Sequence, residues 1–369
     1  MIAHTPSAPV RIIAEIGVNH NGSAAMARQL IDAARRCGAD AVKLQLFRAA
    51  QLAAPDTPLA DYQQQAAGAG ARSQYELLRQ LELSEAEVRE LGVYCEAQQI
   101  ELLATPFDRD ALRLLVHDLR ASSIKLGSGE LTNLPFLLEV GRCRRQLLLS
   151  TGMATLAEVE QALSVLAYGL AVEPSDPLAA PPSLAAFRQA YVSAAGQAAL
   201  QRYVTVLHAT TAYPAPPASC NLRAMDTLRA AFRLPTGLSD HSEGSAVAIA
   251  AVARGACVIE KHLTLDRSLP GVDHQASMEP EDFGRMVRDI RQIEMALGSP
   301  AKLPDEAELR TSGLVRRSIV AATDIAVGEQ FSERNLTFKR PAGGLPPERY
   351  WELLGRASDH SYRKDEPIQ

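Results

Sequence analysis

"RIIAEIGV", residues 11–18, sets Ile12, Ala14, Ile16 and Val18 on one side of an extended chain and Ile13, Glu15 and Gly17 on the other, because successive strand side chains point to opposite faces. The run reads as a buried strand with one charge near its C-terminal end. Seven more short β-branched or apolar runs follow: "DAVKLQLF" (40–47), "IELLATPF" (100–107), "SSIKLGSG" (122–129), "QLLLSTG" (146–152), "YVTVLHAT" (203–210), "PTGLSDH" (235–241) and "CVIEKHLT" (257–264). Between them lie helical patterns such as "AAMARQLIDAARRCG", "TLAEVEQALSVLAYG" and "EDFGRMVRDIRQIEMALG", apolar every three or four residues and closed by Gly. Strands alternating with helices are parallel strands joined by crossovers, and eight such units imply an α/β fold of the (β/α)8 TIM-barrel type. A doubly wound open sheet is the alternative.

The chain has 369 residues, is 47% hydrophobic and carries a net charge of -5. Its basic residues are scattered, which argues against nucleic acid or an anionic membrane and for small-molecule chemistry. Five cysteines, widely spaced and without a C-x-x-C pair, fit neither a disulfide framework nor a zinc knuckle. With no signal-peptide pattern and no membrane-length apolar run, a cytoplasmic location is expected.

Two interruptions break the rhythm, residues 48–75 and 171–200; long insertions in compact domains are often lids or mobile loops. Residues 298–313 replace periodicity with Pro, Gly and charge and read as a linker. The expected organisation is a barrel over 1–297, a linker over 298–313, and a small domain over 314–369 made of short strand-like runs, turns and one brief helix.

The alternation in the first strand repeats elsewhere. Val42, Leu44 and Leu46 oppose Lys43 and Gln45, and Ile124 and Leu126 oppose Lys125. If the apolar faces meet the helices, Glu15, Lys43, Gln45 and Lys125 converge inside the barrel near its C-terminal rim. Unpaired buried charge costs several kcal/mol, about 3–5 by mutation, so such a set is either internally paired or a site. Thr105, Ser128, Ser150, Thr151 and Ser239 end strands. Each alone fits an N-cap; together with two interior lysines they read as an anion site.

His241 closes the seventh run and His262 lies near the end of the eighth. Neighbouring strand ends bring both within reach of one divalent ion, with Asp240, Glu260 and Asp273 nearby and positions left open for water or substrate. His208 reads as a hydrogen-bonded core histidine and His274 as lying outside the ion's immediate ligands. In the eighth strand the alternation sends Glu260 and His262 inward; Lys261, Asp266 and Arg267 read as loop or surface pairs.

"IIAEIGVNHNGS", "AVKLQLF", "ATPFD", "IKLGSGELTNLP", "LSTGMAT", "GLSDHSEG", "VIEKHLTLDRSLPGVDHQASMEP" and "FKRPAGGL" together resemble the sialic acid (nonulosonic acid) synthase family, from about residue 11 to the C-terminus. The resemblance implies a (β/α)8 barrel followed by an antifreeze-like (SAF) domain in a domain-swapped homodimer. It implies condensation of phosphoenolpyruvate with an N-acetylated mannosamine-type sugar to a nine-carbon 2-keto acid, with release of phosphate. Residue by residue, it implies phosphoenolpyruvate contacts from Lys43, Thr105, Lys125, Ser128, Ser150, Thr211 and Ser239. It makes Glu15 the catalytic carboxylate and His241 and His262 ligands of a divalent metal, manganese foremost, with magnesium or cobalt as alternatives. Gln45, Tyr213 and Asp273 would surround the acceptor sugar, and Arg340 would reach the partner's site.

Thr211 stands where sialate synthases commonly carry Asn, Ala209 replaces a frequent Cys, and Ser242 and Glu243 depart from the usual Thr and apolar residue. The Thr-Thr before Tyr213 and the insertion before the sixth strand resemble bacterial synthases of N,N'-diacetyllegionaminic acid more closely. Alternatives are another metal-dependent phosphoenolpyruvate-using synthase or aldolase, such as a pseudaminate synthase, or a non-catalytic sugar-binding protein.

Overall fold

The computed structural model describes residues 8–60, 63–64, 71–173, 175 and 180–369. Eight parallel strands form one sheet: β1 (Arg11–Glu15), β2 (Ala41–Leu46), β3 (Glu101–Pro106), β4 (Ser123–Leu126), β5 (Gln146–Ser150), β6 (Val204–Ala209), β7 (Thr236–Asp240) and β8 (Val258–His262). Their order is β3-β2-β1-β8-β7-β6-β5-β4. The two ends of that order lie side by side, so the sheet curls into a nearly closed (β/α)8 barrel. The doubly wound alternative is excluded, because an open sheet keeps its end strands apart whereas β3 and β4, the ends of this order, are neighbours.

Strand parity decides what faces where. Ile12, Ala14, Ile16, Val42, Leu44, Ile124, Leu126 and Ile259 belong to the large core between sheet and helices. Ile13, Ala41, Leu103, Leu148, Leu207 and Val258 form a separate apolar plug inside the barrel. The surrounding helices obey ordinary end rules. The helix Ala24–Cys37 is capped by Ser23 and stops at Gly38, whose φ of 84° suits a residue without Cβ. No helix among the described residues is long and apolar enough to cross a membrane.

Of the first interruption, 61–62 and 65–70 lie outside the described residues; its end forms the helix Gln74–Leu81. Of the second, 174 and 176–179 lie outside. The remainder is no loop: Leu184–Val192 and Ala194–Tyr203 are helices packed on Leu156–Ala171. Its alanines favour helix once Ser183 and Ser193 cap the two starts.

The chain divides into two compact units, 1–298 and 299–369. The stretch read as a bare linker holds the helix Glu306–Val315, started by an Asp305–Glu308 capping box. In the second unit β9 (Ser318–Ala321) and β10 (Leu336–Lys339) pair antiparallel around a small core of Ile319, Ile325, Phe331, Leu336, Leu353, Tyr362 and Ile368. There Ser318 Oγ accepts from Gly343 and Gly344 N at 3.0 and 3.1 Å and donates to Pro341 O at 2.9 Å, pinning the turn after Arg340.

Candidate active site

At the C-terminal ends of the strands a cavity of about 440 Å3 opens above the apolar plug. Register places its charges. Glu15 is level with Lys43 on one side and with His262 on the other, and Ser239 is level with Glu260. Inward parity then turns these side chains to the barrel interior, where the strand stagger gathers them into one polar layer even though Glu260 is level with Ile13 across β1 and β8.

Glu260 is the hub of that layer. Its Oε1 accepts from Ser239 Oγ at 2.8 Å, Lys43 Nζ at 3.2 Å and lies 3.3 Å from Lys125 Nζ. Burial pushes the Glu260 carboxyl upward, but Lys125 and Lys43 outweigh it and hold the group well below the usual carboxylate range. Lys43 also pairs with Glu15 Oε2, a charge contact without hydrogen-bond geometry. Burial, with Lys125 beside it, lowers the Lys43 ammonium to about 7. Two carboxylates and two lysines therefore neutralise one another.

Buried polar atoms ordinarily have partners. Here Thr105 Oγ1, Ser150 Oγ, Glu260 Oε2 and both Glu15 oxygens have no hydrogen-bond partner. Thr105, Ser150 and Glu260 line the cavity, so their atoms are available to a ligand. On one wall Gly152 N donates to Ser128 Oγ at 3.0 Å. A Cβ on Gly152 would lie 2.4 Å from Thr211 Oγ1 and 2.8 Å from Ser128 Oγ, so only glycine lets these hydroxyls approach that backbone.

The imidazole rings of His241 and His262 stand 5.4 Å apart, with Tyr213 against both. His241 Nδ1 is 2.7 Å from Thr210 O. A carbonyl only accepts, so Nδ1 carries the proton and Nε2 keeps its lone pair. Burial lowers His241 to about 4, and burial together with His241 holds His262 well below the usual imidazole range. His262 Nδ1 has no hydrogen-bond partner and lies 3.6 Å from Asp273 Oδ2. His241 Nε2 is 3.5 Å from Ser239 Oγ, whose proton goes to Glu260, so both neutral imidazoles keep a lone pair that fits a divalent cation with open positions. Among the described residues no three His, Cys, Asp or Glu side chains group into a closed metal cage.

Residues 30–302 match the NeuB family and residues 316–369 match the SAF domain. The chain belongs to the NeuB family. It is 41% identical over 358 residues to the N,N'-diacetyllegionaminic acid synthase of Campylobacter jejuni, spanning 97% of this chain and 98% of that protein. It is 40% identical over 346 residues to the Legionella pneumophila protein of the same name, spanning 93% and 89%. The crystal structure of N-acetylneuraminic acid synthetase from Leptospira borgpetersenii, in complex with citrate, matches with a TM-score of 0.64 at 27% identity, over 82% of this chain and 90% of that one.

In this NeuB-family barrel the cavity brings together Lys43, Gln45, Thr105, Lys125, Ser128, Ser150, Thr211, Tyr213, Ser239, His241, His262 and Asp273, with Glu15 joined through Lys43. Arg340 belongs to the C-terminal unit and is exposed just after β10. Asp240, expected beside the ion, turns away: it accepts from Lys261 Nζ at 2.8 Å and from Ser242 N and Oγ at 2.9 and 2.6 Å. Lys261 is thus no surface residue but one end of a fully buried pair. Arg267, by contrast, forms an exposed pair with Glu243 at 3.0 Å. His208 Nε2 meets Cys220 O at 2.7 Å, a core role. His274 meets Thr264 Oγ1 at 2.7 Å.

Sequence reasoning placed Glu260 inward and near the ion, but missed that it is the shared partner of Lys43, Lys125 and Ser239; its parity with His262 was the available signal. It also missed the cavity's apolar side, where Leu77, Leu78 and Leu81 of the helix Gln74–Leu81 stand with Val18, Phe107 and Val272. Three leucines at helical spacing were the signal there.

Proposed function

We propose that this chain condenses phosphoenolpyruvate with an N-acetylated mannosamine-type sugar and water, giving a nine-carbon 2-keto sugar acid and phosphate. The acceptor we favour is 2,4-diacetamido-2,4,6-trideoxymannose, ahead of N-acetylmannosamine, in line with the names of the Campylobacter and Legionella relatives. The observation that carries the reading is that Thr105 Oγ1, Ser150 Oγ and Glu260 Oε2 have no hydrogen-bond partner while their residues line, with Lys43 and Lys125, the foot of a cavity.

Lys43 and Lys125 neutralise the phosphate and carboxylate of phosphoenolpyruvate, while the Thr105, Ser128, Ser150, Thr211 and Ser239 hydroxyls orient them. A divalent cation on His241 and His262, manganese foremost, would supply Lewis-acid polarisation of the open-chain sugar's aldehyde. Gln45, Tyr213 and Asp273 hold the sugar so that its C1 meets C3 of phosphoenolpyruvate. As that carbon–carbon bond forms, the aldehyde π bond breaks and its oxygen takes up a proton to become a hydroxyl, while positive charge develops at C2. Glu15 stabilises it and takes the proton of the water that adds there. The resulting tetrahedral centre collapses by C–O cleavage and phosphate leaves. We assign the working form to a homodimer in the cytoplasm, with Arg340 reaching the partner's acceptor site.

The test is product identification by mass spectrometry after mixing phosphoenolpyruvate, manganese and each sugar. A nine-carbon keto acid with stoichiometric phosphate is expected, lost on chelation and restored by metal return. Full activity in metal-free protein removes the metal's role. A product of pseudaminic type would instead align the chain with the Campylobacter jejuni pseudaminic acid synthase, to which it is 30% identical.

A further inference from the structure

The segment after β8, residues 263–278, carries Asp273 to the cavity, its Oδ2 3.6 Å from His262 Nδ1. The segment is closed at its base, where Met278 N donates to His262 O and Thr264 N to Met278 O, each at 2.9 Å. Backbone pairing holds the base but leaves the far part of the loop, around 268–273, to side chains.

Those side chains come from the loop after β1. Asn19 is 1% exposed. Its Nδ2 donates one hydrogen to Leu263 O at 2.9 Å and the other to Ser277 Oγ at 2.8 Å. Ser277 Oγ then donates to Asp273 O at 2.6 Å. The chain of bonds runs from the loop after β1 to the backbone of the residue that faces the cavity. Asn21 forms a second brace: its Nδ2 donates to Pro270 O at 2.9 Å, and its Oδ1 is 3.3 Å from His274 Nε2. His274 Nδ1 lies 2.7 Å from Thr264 Oγ1, a hydroxyl that is also 3.1 Å from Asp266 O, so the ring is tied to the loop's own base. The fit between the braces is tight, since a Cβ on Gly271 would lie 2.6 Å from His274 Cδ2 and 2.7 Å from Asn21 Oδ1.

Neither Asn19 nor Ser277 is among the residues lining the cavity. Asn19 makes both of its donor bonds to the two ends of one loop, while its buried Oδ1 has no hydrogen-bond partner, so what holds the amide in place is the loop it braces. A side chain so placed acts on loop shape. We infer that Asn19, acting through Ser277, is a positioning residue that fixes Asp273 beside His262 for the acceptor sugar; the inference rests on the condensation proposed above. Outer partners that orient a site's contact residues are commonly worth about 10- to 100-fold in activity.

The experiment compares Asn19→Ala and Ser277→Ala with the parent, alone and combined with Asp273→Ala. Expected for each single variant is a loss of about 10- to 100-fold in kcat/KM for the sugar, while the Kd of phosphoenolpyruvate by calorimetry moves less than about twofold. In the Asp273→Ala background either substitution should add less than about twofold, since the residues act as one unit. Hydrogen exchange should accelerate within residues 265–276 and not elsewhere in the barrel. Parallel weakening of phosphoenolpyruvate, independent multiplication with Asp273→Ala, or unchanged exchange in the loop each overturns the assignment. Should Asn19→Ala fail to fold, Ser277→Ala carries the same readings. A parent that turns over neither sugar strikes down the condensation, whereas a brace defect in an active parent bears on Asn19 alone.

Discussion

Ile13 and Glu15 enter the same barrel from the same strand, one pleat apart, and meet opposite surroundings. Ile13 belongs to an apolar plug with Leu103, Leu148, Leu207 and Val258. Glu15 lies beside Lys43, whose other partner is Glu260. The step recurs around the barrel: Ala41 to Lys43, Leu103 to Thr105, Leu148 to Ser150, Val258 to Glu260. Side chains two residues apart share a face, so each strand passes from packing to chemistry without changing direction. The plug supplies burial without polar debts, and the layer above it can hold charges that balance only among themselves or with a ligand. Barrel enzymes commonly keep stability and chemistry at opposite ends in this way.

The comparison breaks most violently if a charge is moved down one layer. Ile13→Glu would set a carboxylate in the apolar plug, and uncompensated buried charge costs about 3–5 kcal/mol. We expect loss of soluble, cooperatively folded protein; a thermal midpoint within a few degrees of the parent would refute the division. The reverse change, Glu15→Gln, keeps shape and removes charge from the upper layer. Turnover should fall on the order of 10³-fold, the scale of a lost acid–base or electrostatic group, while phosphoenolpyruvate still binds. Unchanged turnover would take Glu15 out of the chemistry.

A quieter test stays within the plug. Leu103 is fully buried, and Leu103→Ala should lower stability by about 3 kcal/mol through lost contacts and a residual cavity. Denaturant unfolding measures that loss, and steady-state kinetics should show kcat within a few-fold of the parent. A kcat loss as large as that of Glu15→Gln would mean the two layers are mechanically coupled.

Strand parity was legible because it follows from geometry alone, which is why Glu15, Lys43, Lys125 and His262 could be placed inside before any coordinates. Lys261 was misread for a related reason. Its parity points outward, but outside a barrel strand lie helices and not water, so an outward lysine needs Asp240 as a buried partner. The helices Leu184–Val192 and Ala194–Tyr203 were hidden by the proline-rich approach at 181–182, which breaks the periodic signal just before it begins. The Asn19 braces were not legible at all. They join residues 244 and 258 apart in sequence, and no local pattern encodes which loop an asparagine will hold.

The smallest effect separates the layers by titration. Only the upper one carries groups that change charge near neutrality. Lys43 is lowered by burial, and then by Lys125, to about 7, while Glu260 works in the opposite direction. The groups facing it are Glu15, Glu260, Lys125 and Asp273, and burial raises Asp273 to about 7. A lysine lowered in this way is charged below that value and neutral above it. An anionic ligand favours the charged form, so binding phosphoenolpyruvate above pH 7 must draw in a proton. Affinity should therefore fall by up to about tenfold per pH unit between pH 7 and 9, since one unit corresponds to about 1.4 kcal/mol. Asp273, gaining negative charge over the same interval, acts with the same sign. Calorimetric titration in buffers of different ionisation enthalpy reads both the affinity and the proton uptake. Lys43→Arg, which cannot deprotonate in this range, should flatten most of the slope, and the Leu103→Ala stability loss should be the same at pH 7 and 9. A flat phosphoenolpyruvate affinity in the parent would mean that Lys43 keeps its charge throughout, with Glu15 and Glu260 outweighing burial.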